Sequence, residues 1–165
     1  MRVKIYTDGG CSGNPGPGGW AYVIIGDGGE NTGALPGDKA GSPDVLVEKW
    51  GAERNSTNNR MELYAVIAAL EELSRFNPPP DSVTVYTDSQ YVQKGMSSWI
   101  QNWKMKGWRT SGKEPVKNQE LWQRLDKLAG NFAVTWKWVK GHAGNRYNER
   151  CDRMTQTAIA SLGER

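Results

Sequence analysis

Ile5-Tyr6-Thr7-Asp8 and Val85-Tyr86-Thr87-Asp88 are two copies of one local pattern. In each, an aliphatic residue, a tyrosine and a threonine close a β-like run, and an aspartate follows at once. In open α/β sheets, ligands gather outside the carboxyl ends of strands. If the two runs pair as parallel neighbours, Asp8 and Asp88 stand side by side at that end. A lone aspartate after a strand is most often a turn residue. The repeated context sets this pair apart.

Outward from the first copy, residues 2–7 are predicted as a strand, with Val3 and Ile5 on one face and Tyr6 on the other. The glycine- and proline-rich DGGCSGNPGPGG at 8–19 reads as a turn, and 20–25 as a second strand. Residues 26–43 are polar and without periodicity and read as a long hairpin loop. A third strand is expected at 45–50. Thr57 or Asn58 caps a helix over 58–75, with Met61, Tyr64, Ala65 and Ala68 on one stripe. Asn77-Pro78-Pro79-Pro80 ends it.

Outward from the second copy, 82–87 is a strand, followed by short helices at 89–94 and 97–104. A helix over 118–129, a fifth strand over 132–139 and a closing helix over 148–162 complete the chain. Three strands in a meander and then right-handed crossovers make this an α/β protein. Neither a repeat nor a second domain is evident, so 1–165 is expected to be one domain.

Composition narrows the function. In 165 residues, 37% are hydrophobic and 24% charged, as in soluble globular proteins. The longest apolar run, 63–70, is far short of the ~20 residues a membrane span needs. Two cysteines and one histidine exclude a disulfide framework and a Cys₂His₂ zinc site. With no signal peptide evident, a reducing cytoplasmic setting is expected. Net charge is +3, but 94–117 holds six cations and one anion, leaving −2 for the remainder. Trp99, Trp103 and Trp108 lie in that basic stretch. Cations interleaved with aromatics suit a polyanion that carries flat bases.

Two further carboxylates join the aspartates as candidates. Glu62 falls in the first turn of the 58–75 helix among apolar neighbours, and Asp152 lies in the last helix. Four clustered carboxylates repel one another. Two divalent cations would balance them, and all-oxygen ligands suit Mg²⁺. Two such ions ~4 Å apart serve in-line phosphoryl displacement without a nucleophilic side chain.

These features occur in five longer motifs: TDGGCSGNPGPGG (7–19), TNNRMEL (57–63), YTDSQYV (86–92), NWKMKGWR (102–109) and WVKGHAGNRYNERCD (138–152). In this order they make the chain resemble the bacterial, single-domain form of ribonuclease H type 1 over nearly its whole length. The resemblance implies a ribonuclease H-like fold: a mixed five-stranded sheet in the order 3-2-1-4-5 with helices on both faces. It implies hydrolysis of the RNA strand of RNA–DNA hybrids, leaving 3′-hydroxyl and 5′-phosphate ends. It puts the metal-binding carboxylates on Asp8, Glu62, Asp88 and Asp152, and the catalytic loop histidine on His142. Two Mg²⁺ ions are implied as cofactor, with Mn²⁺ as a substitute.

For the hybrid, the resemblance implies minor-groove contacts from Asn14, Asn58, Asn59 and Gln90 and from backbone groups near Cys11 and Gly13. Thr57 matches a DNA-strand phosphate contact and Trp99 an aromatic in the DNA-strand channel. Lys104, Lys106 and Arg109 match the basic protrusion, 94–117. Trp103, Trp108 and Trp122 are expected to pack that protrusion. Three departures stand out: Gly10 where the family usually has serine, an extended hairpin region at 26–52, and a variable Asn145-Arg146-Tyr147. The chain begins in its first strand, so no preceding hybrid-binding module is expected, and a monomer is the default.

Other motifs fail on context. Gly107 to Lys113 spells most of a P-loop, but Glu114 stands where Ser or Thr is needed. Gly16-Pro17-Gly18-Gly19-Trp20-Ala21 fits a loose dinucleotide fingerprint but leads into a strand. Two rivals remain: another metal-dependent nuclease on the same fold, and a non-catalytic hybrid-binding module.

Overall fold

The computed structural model describes residues 1–26, 45–141 and 143–163. The strands are β1 (Arg2–Cys11), β2 (Gly16–Gly26), β3 (Val45–Ser56), β4 (Ser82–Thr87) and β5 (Val134–Trp138). They form one sheet in the order β3-β2-β1-β4-β5. β1–β2 and β2–β3 are antiparallel, whereas β1–β4 and β4–β5 are parallel. The mixed sheet in the order 3-2-1-4-5 is as expected. The two sequence copies are in register, Ile5 opposite Val85 and Thr7 opposite Thr87, and the parallel ladder stops just before the two aspartates.

The helices are α1 (Asn58–Leu73), α2 (Gln90–Lys94), α3 (Ile100–Met105), α4 (Gln119–Ala129) and α5 (Arg146–Leu162). Val3, Ile5, Val83 and Val85 share one core with α1 and α4 residues, including the fully buried Trp122. Tyr6, Ala21, Val23 and Ile25 face the other way and pack with Cys151 of α5. Helices therefore cover both faces.

Residues 8–19 are not one turn. β1 continues through Asp8, Gly9 and Gly10 to Cys11, opposite Ala21, Trp20, Gly19 and Gly18. At Gly9 a strand residue without a side chain is needed because α1 lies against it. A Cβ on Gly9 would meet the Met61 carbonyl carbon at 2.4 Å and the Glu62 amide nitrogen at 2.6 Å. β3 likewise runs on to Ser56, through largely exposed residues whose pattern hides an edge strand. Residues 27–44 of the expected hairpin region lie outside the described residues.

Three helix expectations also change. α1 buries Leu63, Val66, Ile67 and Leu70 as well as Met61 and Ala65, while Tyr64 and Ala68 are only half-buried. It packs against β1, β2 and α4 at once, so a single stripe does not describe it. Residues 90–105 form a continuous helical run, with a π-helical turn at Gly95–Trp99 in place of a break. α5 starts at Arg146, because the Asn145 side chain accepts from the Tyr147 and Asn148 amides.

Gly9→Ala is expected to cost roughly 3 kcal/mol, the upper end of ordinary overpacking, because backbone rather than a flexible side chain blocks the new methyl. Urea unfolding monitored by far-ultraviolet circular dichroism checks this. A loss below about 1 kcal/mol, the lower end of that range, would show that α1 can retreat from β1.

Candidate active site

The site forms where β1, β4 and α1 meet. Asp8 continues β1 beyond the parallel ladder, and Asp88 directly follows β4. Glu62 is held opposite them by the close approach of α1 to Gly9. Thr57 caps that helix, its Oγ1 accepting from the Arg60 amide at 3.2 Å. One carboxylate oxygen each from Asp8, Glu62 and Asp88 lies within 4.8 Å of the others.

The electrostatics are strained. Asp8 is buried, and its carboxyl is pushed up to about 7, first by burial and then by the Asp88 charge. Glu62 is raised well above the ordinary carboxyl range by burial, with Asp8 and Asp88 adding to it. Glu62 is half-buried as a residue, yet its Oε1 is fully enclosed and has no hydrogen-bond partner. A buried, unpartnered oxygen among like charges is what a cation would satisfy. The donors are all hard oxygens, so the residues fit Mg²⁺ or Mn²⁺ better than a softer metal.

Asp152, on α5, stands outside this trio. It is half-buried and near enough for its charge to raise Asp8. His142 lies outside the described residues.

The polar candidates gather beside Glu62. Asn58 Oδ1 accepts from the Cys11 amide at 2.8 Å, and Asn14 Oδ1 accepts from the Asn58 amide at 3.0 Å. Asn14, Asn58 and Asn59 are exposed, and Gly13 sits in the turn beside them. A Cβ on Gly10 would lie 3.7 Å from Asn58 Oδ1, an ordinary contact, so a serine would fit there without displacing Asn58. Gln90 is exposed at the start of α2, two residues beyond Asp88.

The basic segment is built on aromatic packing. Trp103 contacts Trp99, Trp108 and Trp122, with centroids 5.9, 6.2 and 5.2 Å away. Trp99 also meets Tyr91, whose hydroxyl accepts from the Trp122 indole and the Asn118 amide. Lys104, Lys106 and Arg109 are exposed around this stack. Two of them already have partners: Lys104 pairs with Asp126 at 3.3 Å, and Arg109 donates to the Lys113 carbonyl at 3.1 Å.

Sequence reasoning missed several groups. Thr155 is buried against Asp8, and a threonine inside a helix carries no signal of that. Arg60 donates to Asn118 and pairs with Glu120 at 2.8 Å, tying α1 to α4. The Trp138 indole donates to the Asp88 carbonyl at 3.1 Å. Cys11 and Cys151 are both free, and Cys151 Sγ lies 3.3 Å from the Tyr6 carbonyl.

This sheet order, with carboxylates converging at the end of its central parallel pair, defines a ribonuclease H-like protein with an acidic centre. The RNase H family profile matches residues 1–160. A Ribonuclease H of Chromobacterium violaceum is 50% identical over 162 residues, spanning 98% of this chain and 97% of that protein. One of Treponema denticola is 47% identical over 172 residues, spanning 98% and 99%. Among solved structures, LC9-RNase H1, described as a type 1 RNase H with the type 2 active-site motif, superimposes with a TM-score of 0.79. It is 34% identical and covers 97% of this chain and 72% of its own. LC11-RNase H1, solved in complex with an RNA/DNA hybrid, has a TM-score of 0.72. At 24% identity over 98% of this chain and 99% of its own, it shows the shared fold. The chain belongs to the RNase H family.

The raised carboxyls make stability pH-dependent. Without a divalent cation, the folded chain keeps a proton on Asp8 that the unfolded chain releases above its ordinary value near 4. The Asp8 contribution to stability therefore falls as pH rises from about 4 through about 7, and the raised Glu62 carboxyl acts in the same direction. Glu48, Asp81 and Glu120, which are shifted downwards, titrate below most of this window. Asp8→Asn should flatten the slope and exceed the parent at pH 8 by up to about 4 kcal/mol, at ~1.4 kcal/mol for each pH unit between about 4 and about 7. Urea midpoints in EDTA at pH 5 and pH 8 test this, and parallel profiles for the two proteins would refute it.

Proposed function

We propose that the protein is a metal-dependent endonuclease that hydrolyses the RNA strand of RNA–DNA hybrids and leaves 3′-hydroxyl and 5′-phosphate ends. The observation that carries this reading is the convergence of Asp8, Glu62 and Asp88 within 4.8 Å in a chain of the RNase H family. Asp8, Glu62, Asp88 and Asp152 would together hold two Mg²⁺ ions, with Mn²⁺ as a substitute. When bound, these supply the positive charge that activates water and steadies the leaving oxygen.

The chain's own groups do the rest. The carboxylates orient water toward the phosphorus, with Glu62 on the side of the asparagines. Asn14, Asn58, Asn59 and Gln90, with backbone groups at Cys11 and Gly13, read the 2′-hydroxyl that distinguishes RNA from DNA. The hydrogen bonds from the Cys11 amide to Asn58 and from the Asn58 amide to Asn14 support this role, because they fix both amides before substrate arrives. The Thr57 oxygen is used in capping α1, and its hydroxyl hydrogen remains for a DNA-strand phosphate. Trp99 meets the DNA strand, while Lys104, Lys106 and Arg109 attract the backbone. His142 carries a proton to the leaving oxygen or helps the product depart.

Among the described residues no helix is long and apolar enough to cross a membrane. A single catalytic domain, acting as a cytoplasmic monomer, completes the proposal.

An end-labelled strand of about 12–20 nucleotides tests it, presented as hybrid, as RNA duplex and as DNA duplex, with Mg²⁺ or EDTA. Metal-dependent internal cuts confined to the RNA of the hybrid are expected. DNA cutting would indicate another nuclease on this fold, and binding without cutting a non-catalytic module. Asp88→Asn should lower cleavage more than ~100-fold, since changes behind a metal's direct ligands already cost 10–100-fold. Activity within tenfold of the parent would remove Asp88 from the site.

Lys104→Ala with Lys106→Ala should weaken hybrid binding. It should also flatten the plot of log affinity against log salt by about 1–2, close to one for each phosphate no longer neutralised. Lys106 alone should account for most of this, because Lys104 shares its charge with Asp126. An unaltered slope would mean that the basic segment is not the footprint.

A further inference from the structure

Asp88 is gripped from a direction that the acidic site does not explain. β5 ends at Trp138, opposite Thr87, and the Trp138 indole Nε1 donates to the Asp88 backbone carbonyl at 3.1 Å. The next residue adds one more bond to the ladder, from the Val139 amide to the Thr87 carbonyl at 2.9 Å. The chain then passes Asp88 at Gly141. A Cβ there would lie 2.8 Å from Asp88 Oδ2 and 3.6 Å from its Cβ and Cγ. Gly141 is not in the left-handed region, so the close approach, and not backbone conformation, calls for a glycine.

Both contacts bear on a mechanical problem. The outer torsion of an aspartate is broad and easily turned. Asp8 and Glu62 repel the Asp88 carboxylate, and rotation away from them would relieve that repulsion. At Gly141 any side chain would displace Oδ2, so the glycine leaves the carboxylate its present bearing. An indole bonded to the carbonyl of the same residue restricts the main chain from which the side chain springs. Trp138 is 43% exposed, so burial alone does not account for its placement.

We propose that Trp138 and Gly141 are positioning residues for Asp88, the first fixing its main chain and the second, by lacking a side chain, leaving its carboxylate room to stay directed at the site shared with Asp8 and Glu62. This rests on reading that site as a metal centre. Neither residue touches the substrate or the metal in this role. They act through the ligand, as the supporting groups around metal ligands generally do.

The test is a Mg²⁺ titration of the free protein, followed by ¹H–¹⁵N spectra of the indoles and of the backbone amides at 87–90. The Trp138 indole signal is identified by its loss in Trp138→Phe, which keeps a ring but removes the donor. In the parent protein this signal is expected to move with Mg²⁺. In Gly141→Ala the new methyl meets the end of a side chain that can turn aside, so the melting temperature should hold within ~2 °C while the Mg²⁺ midpoint rises about tenfold. Trp138→Phe, read from the 87–90 amides, should raise the midpoint in the same direction, and it decides the matter if Gly141→Ala does not fold. Parent-like midpoints in the folded variants overturn the positioning role and leave the metal reading intact. No saturable response in the parent protein overturns both.

Discussion

Everything at the site depends on how closely α1 can lie on β1. At Gly9 the helix backbone occupies the space of a side chain, with 2.4 Å between the missing Cβ and the Met61 carbonyl carbon. That contact brings Glu62 to the end of the parallel ladder, where Asp8 and Asp88 already stand because Thr7 pairs with Thr87. The aspartates are placed by strand register and the glutamate by helix approach. A one-residue slip in either strand would turn its carboxylate to the opposite face of the sheet.

The arrangement is costly, and the surroundings bear the cost. Burial and mutual repulsion raise Asp8 and Glu62 together, and one oxygen of Glu62 has no hydrogen bond. Such a cluster would spread unless its supports were stiff. α1 runs through the main core and is tied to α4 through Arg60, Asn118 and Glu120. On the opposite face α5 is fastened to β3 by the two-pronged Arg150–Glu48 pair and to β1 by the Cys151–Tyr6 contact. Part-buried, bidentate pairs hold geometry better than single surface pairs do.

Much of this was legible in the sequence, for identifiable reasons. The repeated tyrosine–threonine–aspartate endings reported the parallel pair, and Thr57 reported the start of α1. The glycines at 9, 10, 16, 18 and 19 misled, because composition marks glycine as turn-forming while packing used these glycines as strand. Asn145 looked like part of a variable loop and is the cap that begins the helix carrying Asp152. Thr155 gave no signal, because a threonine inside a helix is ordinary, and Trp138, though it opens the 138–152 motif, gave no sign of its bond to Asp88. Their significance lies in contacts across the fold with Asp88 and Asp8, which no local pattern encodes.

The same tension that strains the free protein favours the ion proposed for the centre. A site that costs free energy when its carboxylates are charged and unpaired gains most from a small, doubly charged, oxygen-seeking ion. Binding of such an ion to the folded chain alone stabilises that fold by mass action. The aromatic stack from Trp99 to Trp122 has a related mechanical role in the basic segment: it gives the cations of 94–117 a packed base. One stack residue, Tyr91, bonds Asn118, which in turn holds Arg60, two residues before Glu62. The basic segment and the acidic centre therefore share one packed framework, which would hold a polyanion bound by the first in a set relation to the second.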